Sequence, residues 1–163
     1  LLAPADGRVV SVAGEHPHPL APEARRRVSI FMSPLDVHVN RSPVSGVVEK
    51  RSYRPGSFGA AYKGDASEAN EANALLIRAD AGYRLVVVQI AGWLARRIVC
   101  DVGEGDRVER GARFGLIMFG SRVDVHLPDE VTVCVAPGQR VRAGRTVLAS
   151  PAAEGDGERH GST

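Results

Sequence analysis

Cysteine and histidine are scarce in this 163-residue sequence, and their scarcity excludes several kinds of protein. Cys100 and Cys134 are the only cysteines, and each stands inside its own apolar run, so the sequence does not predict a disulfide-stapled domain or a CxxC zinc site. We expect both to be small buried side chains in a reducing compartment. The 5 histidines are scattered along the chain, so no metal site is predicted.

Lysine and aromatic residues are also few. Lys50 and Lys63 are the only lysines, so arginine supplies almost all of the 21 basic residues, with dense groups at Arg25-Arg26-Arg27 and Arg96-Arg97. The arginine fork pairs with phosphate in bidentate geometry, which favours a phosphate-facing surface, although GC-rich coding would produce the same bias without binding. Aromatic residues make up 5% of the chain and do not alternate with basic ones, so no nucleic-acid partner is predicted.

Long apolar runs are missing as well. A membrane-spanning helix needs roughly 18 to 20 consecutive apolar residues. The longest apolar run, Leu85 to Ala95, is interrupted by Gln89 and Gly92. No signal peptide is visible, and because the sequence starts at Leu1 without Met, we expect residues upstream of it. The length suits about one domain with a core of its own.

What the sequence does contain is a series of short strand-like segments separated by Gly and Pro. Alternating or β-branched runs bounded by such residues predict a mainly β fold with little helix. A polar stretch over residues 63–73 predicts a loop, because long loops in compact domains often cover or form binding sites. The predicted strands cover residues 8–12, 28–32, 35–41, 47–48, 74–78 and 83–90, with a kinked continuation over 91–100.

The segment from Leu35 to Arg41 carries the polar groups that are best suited to proton transfer. In a strand, Val37 and Val39 would face one side while Asp36, His38 and Asn40 faced the other. We therefore expect a polar strand face that holds a carboxylate and an imidazole together.

An internal repeat further specifies the fold. Residues 102–111 and 135–144 share the pattern V-x-x-G-x-R-V-x-x-G, and each copy is followed by an apolar run. Paired glycine turns around two-residue strands are typical of half-barrels, so we predict a small barrel-sandwich-like domain. Lipoyl and biotin carrier domains show a similar pattern, but they need a lysine at a hairpin tip and neither copy contains one. A non-catalytic barrel-sandwich binding module remains the alternative function.

The peptide bond between Gly120 and Ser121 is the candidate reactive bond. It lies in the segment Gly115 to Pro128, which reads as a strand, a tight Gly-Ser step and a second strand with alternating Val123 and Val125. Attack of the serine Oγ on the preceding carbonyl would convert that peptide to an ester. Gly-Ser pairs are also common in ordinary turns. The second pair, Gly161-Ser162, falls in residues 150–163, which we predict to be a disordered tail, so it is set aside.

Four segments together resemble the phosphatidylserine decarboxylase family, a group of self-processing enzymes that carry a pyruvoyl group. In order and spacing they are most similar to its short bacterial and archaeal branch, and the resemblance covers roughly residues 1 to 150, so residues 1–149 are expected to form the decarboxylase domain. The segments are Ala3-Pro-Ala-Asp-Gly7, Met32-Ser-Pro-Leu-Asp-Val-His-Val-Asn-Arg-Ser-Pro43, Ile90-Ala-Gly-Trp-Leu-Ala-Arg-Arg-Ile98 and Phe119-Gly-Ser-Arg-Val-Asp-Val-His-Leu-Pro128.

The resemblance implies that the chain cleaves itself between Gly120 and Ser121. Residues 1–120 would become a β chain, and an α chain would begin at residue 121 with Ser121 converted to the pyruvoyl group. The family's Asp-His-Ser arrangement implies that Asp6 orients His38 and that His38 activates Ser121.

One residue departs from the longer bacterial branch of that family. That branch carries a second histidine where this chain has Arg41, so His38 would serve both steps or Asp36 would assist. On strand alternation His126 points away from Ser121, and we expect it to be structural.

The resemblance further implies decarboxylation of phosphatidylserine, or of an archaeal-type serine lipid, to the ethanolamine lipid and CO2 through a Schiff base. A pyruvoyl decarboxylase with another amino-acid substrate is a second alternative. The implied partners are a phospholipid, the membrane surface and the chain's own two fragments, with a homodimer left open. The implied location is the cytoplasmic face of the cell membrane, as a peripheral protein.

Overall fold

The computed structural model describes residues 1–56, 70–92, 97–118 and 120–153, and these form β-strands without any helix. The strands are β1 Gly7–Ala13, β2 Arg26–Met32, β3 Val39–Arg41, β4 Gly46–Arg54, β5 Ala72–Ala79, β6 Arg84–Ile90, β7 Ile98–Cys100, β8 Arg107–Val108, β9 Arg113–Ile117, β10 Ser121–Leu127, β11 Val131–Val133, β12 Arg140–Val141 and β13 Ala149–Pro151. The prediction of a mainly β fold is confirmed.

Eight strands form one antiparallel sheet in the order β12-β1-β2-β10-β6-β5-β4-β8. Because side chains alternate along a strand, each central strand gives one set of residues to each face of the sheet. From β10, Val123 and Val125 join the main core, while Asp124 and His126 face the other side, called the outer face below. Burial of the core face is the main source of stability, because it removes β-branched and leucine side chains from water.

The two copies of the sequence repeat close the two edges of this sheet. The copy at 102–111 contains β8, which pairs with β4, and the copy at 135–144 contains β12, which pairs with β1. The half-barrel prediction from the repeat is therefore confirmed, down to the two-residue strands. Edge strands this short leave few backbone groups open to another chain.

The partners of the two repeat copies are themselves related, which the sequence analysis did not recognise. Gly105 N donates to Val48 O at 2.8 Å, and Gly138 N donates to Val9 O at 2.7 Å, in equivalent positions. The segments that enter β1 and β4 share an x-Pro-x-x-Gly pattern, at residues 3–7 and 42–46. Each half of the domain therefore consists of one such turn, one long strand and one repeat copy.

A three-stranded sheet in the order β3-β9-β7 packs against the main sheet, and β11 pairs with β13 in a third. Gly115 in β9 allows this packing, because a Cβ there would overlap the carbonyl of Val99 and lie 3.0 Å from Nε2 of Gln89. The chain passes from the three-stranded sheet to the main sheet between β9 and β10. The Gly120-Ser121 peptide lies in that crossing.

Several predicted elements have different bounds in the structure. The predicted strand over 35–41 is limited to β3, because Asp36 closes a turn instead: its Oδ2 accepts from Ser33 N at 2.9 Å, and its own N–H donates to Ser33 O at 3.0 Å. The prediction that Asp36, His38 and Asn40 share one polar strand face is therefore wrong. Asp36 and His38 precede β3, and Asn40 within it is fully buried. Most of the predicted loop over 63–73 lies outside the described residues, and so do residues 93–96 of the kinked strand.

The cysteine prediction is wrong for one of the two residues. Both cysteines are free thiols, but Cys134 is exposed and Cys100 is only partly buried. Cys134 directly follows β11. The apolar sequence pattern continues through it, but of the β11 residues only Val131 is fully buried. Residues 154–163 of the predicted tail lie outside the described part of the chain, and β13 extends to Pro151.

Candidate active site

Ser121 is the first residue of β10 and is completely buried. Gly120, directly before it, has a φ of 60°, a left-handed conformation that other residues adopt only at a cost of about 1–2 kcal/mol. A Cβ on Gly120 would meet no atom within 4 Å, so the backbone angle and not the available space requires glycine here. The Ser121 hydroxyl donates to the sulfur of Met32 at 3.5 Å, so no strong acceptor holds its proton in this contact.

His38 lies on a second crossing between the same two sheets. Met32, the last residue of β2, is the cross-strand partner of Ser121, and the chain then runs from Met32 through the 33–36 turn to His38. At His38 it meets β9 again, where Ile117 N donates to the His38 carbonyl at 3.2 Å. The segment 33–38 joins β2 to β3, and the segment between Ile117 and Ser121 joins β9 to β10. Because β2 pairs with β10 and β3 with β9, His38 lies on the connection next to the one that ends at Ser121.

The other predicted site residues line a cavity of about 840 Å³ beside these crossings. Asp6, Asp36 and Arg41 all contribute to its wall, so the structure brings these three together. Asp36 Oδ1 also accepts from Arg140 at 3.1 Å, which ties the 33–36 turn to the second repeat copy. Among the described residues, neither His38 nor Ser121 lines this cavity, which reaches the 33–38 crossing through Leu35, Asp36 and Val37.

Asp6 has a structural contact that the sequence analysis missed. Its Oδ1 accepts from Ala143 N at 2.7 Å, in the second repeat copy. In the other half of the domain, Ser45 Oγ accepts from Arg110 N at 2.9 Å in the equivalent position. Asp6 therefore fastens a repeat turn as Ser45 does. A carboxylate has a second oxygen that a serine lacks, so the same contact leaves Asp6 with a further acceptor for another group.

A chain of buried amides joins the two sheets behind Ser121. Asn73 donates to Gln89 Oε1, and Gln89 donates to Asn40 Oδ1, each at 2.9 Å, while Asn40 in turn approaches the Met32 sulfur at 3.8 Å. All three amides are fully buried. Arg51 Nε, which can only donate, contacts Asn73 Oδ1 at 2.9 Å and so fixes which end of each amide points toward Met32. The sequence did carry a signal for this network, because Gln89 interrupts an otherwise apolar strand.

The family model for phosphatidylserine decarboxylase matches residues 1–149, which include both crossings and the cavity beside them. The chain belongs to the phosphatidylserine decarboxylase family. This confirms the resemblance drawn from the four sequence segments.

Among curated members of the phosphatidylserine decarboxylase family, the chain is similar to several proenzymes. It is 56% identical over 151 residues to the phosphatidylserine decarboxylase proenzyme of Granulibacter bethesdensis, covering 91% of this chain and 62% of that protein. It is 53% identical over 149 residues to the proenzyme of Salinibacter ruber, covering 91% and 65%. The chain thus spans slightly less than two thirds of the length of these two relatives. No solved structure matches it significantly.

The outer face of β10 in this family member carries a buried ion pair and a histidine. Arg122 and Asp124 contact each other through two N···O distances of 3.0 and 3.1 Å, and both side chains are 4% exposed. His126 Nδ1 is 2.8 Å from the carbonyl of His16 and holds the 14–25 segment against the sheet. Since Ser121 faces the opposite side, the expectation that His126 points away from it is confirmed.

His18 packs edge-on against His126, with ring centroids 5.1 Å apart, and should make stability depend on pH. Burial, together with the positive charge of nearby His126 and Arg54, lowers the pKa of His18 to about 4, although Asp124 opposes the shift. Its Nδ1 accepts from Leu20 N at 3.1 Å, a bond that the protonated ring would lose. Between its folded and unfolded pKa values, His18 is protonated in the unfolded chain but neutral in the folded chain.

We expect the thermal midpoint to fall as the pH is lowered from 6.5 to about 4. The contribution of His18 is fully present above its unfolded pKa and is lost as the pH approaches its folded pKa. In His18→Asn, which keeps an acceptor for Leu20 N, the fall should be shallower, although His126 still contributes because burial lowers its pKa too. Equal pH slopes for the two proteins would contradict this assignment.

Proposed function

We propose that this chain is the catalytic part of a self-processing phosphatidylserine decarboxylase that releases CO2 from the serine headgroup and leaves the ethanolamine lipid. The observation that carries the proposal is the Gly120-Ser121 peptide, which combines a left-handed glycine and a buried serine in the crossing next to His38. Membership of the family and similarity to curated proenzymes support it.

In the processing step, Ser121 Oγ attacks the Gly120 carbonyl carbon, the peptide C–N bond breaks and an ester forms. Elimination of the ester oxygen from Cβ then releases residues 1–120 as a chain that ends in a carboxylate. The remaining dehydroalanine loses ammonia by hydrolysis, which leaves a ketone at the start of the α chain. A neutral imidazole can accept the hydroxyl proton, and His38 is our candidate for this base.

Asp6, Asp36 and Arg41 are proposed to support the site from the cavity wall. After Oδ1 has bonded Ala143 N, Asp6 keeps a second carboxylate oxygen with which to orient an imidazole. Asp36 holds the turn that leads to His38, and Arg41 donates to the Gly111 carbonyl at 2.9 Å, which holds β3 against the first repeat copy.

The residues around Ser121 fit a pyruvoyl group formed in place. Processing replaces the Ser121 side chain by a group no larger than serine, so the buried position beside Met32 accommodates it without repacking. Met32 and the buried amides that contact it would hold the group in a fixed orientation and exclude water. When present, a pyruvoyl ketone supplies an electron-withdrawing centre for decarboxylation of a bound amine.

The proposed substrate is a phospholipid, and the proposed location is the cytoplasmic face of the cell membrane, where the protein would bind peripherally. Among the described residues no helix has the length and apolar character to span a bilayer. The α and β chains would stay together after cleavage, because β10 pairs with β2 on one side and β6 on the other.

Intact mass under denaturing conditions tests the proposal. We expect two fragments that divide between Gly120 and Ser121, with an α chain that reacts with an added amine and borohydride. Activity is then measured on phosphatidylserine and on free serine. A single uncleaved chain would instead favour a non-catalytic binding module, and cleavage with activity only on a soluble amino acid would indicate the other pyruvoyl reaction.

The role of His38 can be tested separately. We expect His38→Ala to slow cleavage by about 10²–10⁴-fold, the usual contribution of a general base. His126→Ala is the matched control, because that ring lies on the outer face of β10, and it should cleave at close to the wild-type rate. Cleavage of both variants at the same rate would remove His38 from the mechanism.

A further inference from the structure

Three large apolar side chains are exposed beside the Gly120-Ser121 crossing. Leu35 is 97% exposed, Val37 62% and Met118 44%. They come together because the bond from Ile117 N to His38 O joins the segment after Val37 to the segment before Met118. Single exposed apolar residues are ordinary on a protein surface, but a contiguous group beside a candidate active site indicates an interaction surface.

The exposure of Leu35 is built into a rigid turn. Asp36 bonds Ser33 N through Oδ2 and Arg140 through Oδ1, at 2.9 and 3.1 Å, and Leu35 N donates to the Ser33 hydroxyl at 3.3 Å. Both oxygens of Asp36 are therefore engaged in holding the turn closed. These hydrogen bonds fix the turn with the Leu35 side chain facing solvent. A leucine held in an exposed position is typical of an interaction surface.

Cationic side chains share a cavity with two of these apolar residues. Leu35 and Val37 line the cavity of about 840 Å³, whose wall also includes four arginines and only two carboxylates. One carboxylate, Asp36, pairs with Arg140, and the other, Asp6, bonds a backbone amide. The wall therefore carries a net positive charge. Two of its arginines, Arg142 and Arg145, are exposed in the turn that follows β12.

We propose that the 33–37 turn and the 142–145 turn together form a docking surface for an anionic phospholipid bilayer. Leu35, Val37 and Met118 would enter the boundary between headgroups and acyl chains, while Arg142 and Arg145 pair with lipid phosphates. Apolar side chains that share a cavity wall with arginines match an anionic bilayer, which offers hydrocarbon below and phosphate above. A partner protein would need a complementary acidic groove of fixed shape. The inference rests on the proposed function for its choice of a lipid partner.

This docking would set the orientation of the enzyme. The cavity and both crossings lie beside the exposed apolar group, so a bilayer at this surface would bring lipid headgroups to the cavity mouth. Substrate would then reach Ser121 by moving from the membrane plane into the cavity region, without leaving the bilayer for bulk water.

The test is co-sedimentation of Ser121→Ala with vesicles of phosphatidylcholine, with and without phosphatidylglycerol. This background separates docking from chemistry, because binding is measured on a chain that neither cleaves nor turns over. We expect Leu35→Ser with Val37→Ser to weaken binding at least about tenfold. Arg142→Gln with Arg145→Gln should weaken it about fivefold per arginine, only on phosphatidylglycerol vesicles, and less at high salt.

Matched controls are available elsewhere on the chain. Val10→Ser with Val12→Ser removes two exposed valines from β1. Arg78→Gln with Arg84→Gln removes equal charge from paired positions in β5 and β6, at the end of β6 that is far from Ser121. Both should bind like the parent chain. Equal losses in test and control variants, or self-association in place of vesicle binding, would overturn the docking surface and leave the proposed decarboxylase activity standing.

Discussion

Ser121→Ala is expected to yield a single uncleaved chain with no decarboxylase activity. Without Oγ no ester can form at the Gly120 carbonyl, and no alternative nucleophile is supplied by alanine. The loss should be complete within detection, because cleavage also creates the group that later does the chemistry. Intact mass and product assay on phosphatidylserine measure the two losses independently. Because the side chain lost is small and beside Met32, the fold should survive, which the thermal midpoint checks.

The matched control is Ser162→Ala, which alters the second Gly-Ser pair of the sequence. It should cleave at the wild-type rate and give the same α-chain mass less one oxygen. Persistent cleavage in Ser121→Ala, or its loss in Ser162→Ala, would place the reactive bond elsewhere.

Breaking the buried ion pair between Arg122 and Asp124 is expected to have the largest effect on stability. Arg122→Met alone leaves Asp124 as an uncompensated charge on the outer face, where both side chains are 4% exposed. Losing one partner of such a pair costs about 3–5 kcal/mol, or roughly 10 °C in thermal midpoint for a domain of this size. Urea denaturation with a constant m-value measures the change in the free energy of unfolding.

Two further variants separate buried charge from lost packing. Arg122→Met combined with Asp124→Leu removes both charges, so most of the lost stability should return. Arg107→Met breaks an ion pair of similar geometry, with contacts of 3.0 and 2.7 Å to Asp80, but both partners are half exposed and little change is expected. If the double variant were as unstable as Arg122→Met, the cost would have to come from shape and not from charge.

Much of the fold could be predicted because its signals are local. Gly and Pro punctuation together with β-branched runs predicted β1, β2 and β6 closely, and the paired glycines of the repeat predicted β8 and β12. The strand over 35–41 was predicted too long because Asp36 bonds Ser33 in a turn, and side-chain-to-backbone bonds of this kind compete with strand pairing. Local pattern cannot decide that competition.

For the candidate site, sequence named single residues but could not relate them in space. Ser121, His38 and Asp6 came from motif patterns, and their catalytic roles stay predictions. Asp6 and Ser45 play the same structural role, since each accepts a backbone N–H from a repeat copy. The sequence did not predict this, because the two halves of the domain share only a Pro and a Gly in those turns. The amide chain through Gln89 was visible only as a polar residue in an apolar strand.

By itself, the sequence determined the all-β class, the repeat and the family, and it named Gly120-Ser121 as the candidate reactive bond, since each follows from residue type and spacing along the chain. Only the tertiary structure decided that Gly120-Ser121 crosses between two sheets, that His38 sits on the neighbouring crossing, and that Leu35 projects into solvent among arginines. These facts depend on strand register and on contacts between residues far apart in the chain, such as Ser121 with Met32 and Asp6 with Ala143. Register is set by packing of the whole core, which no single segment encodes.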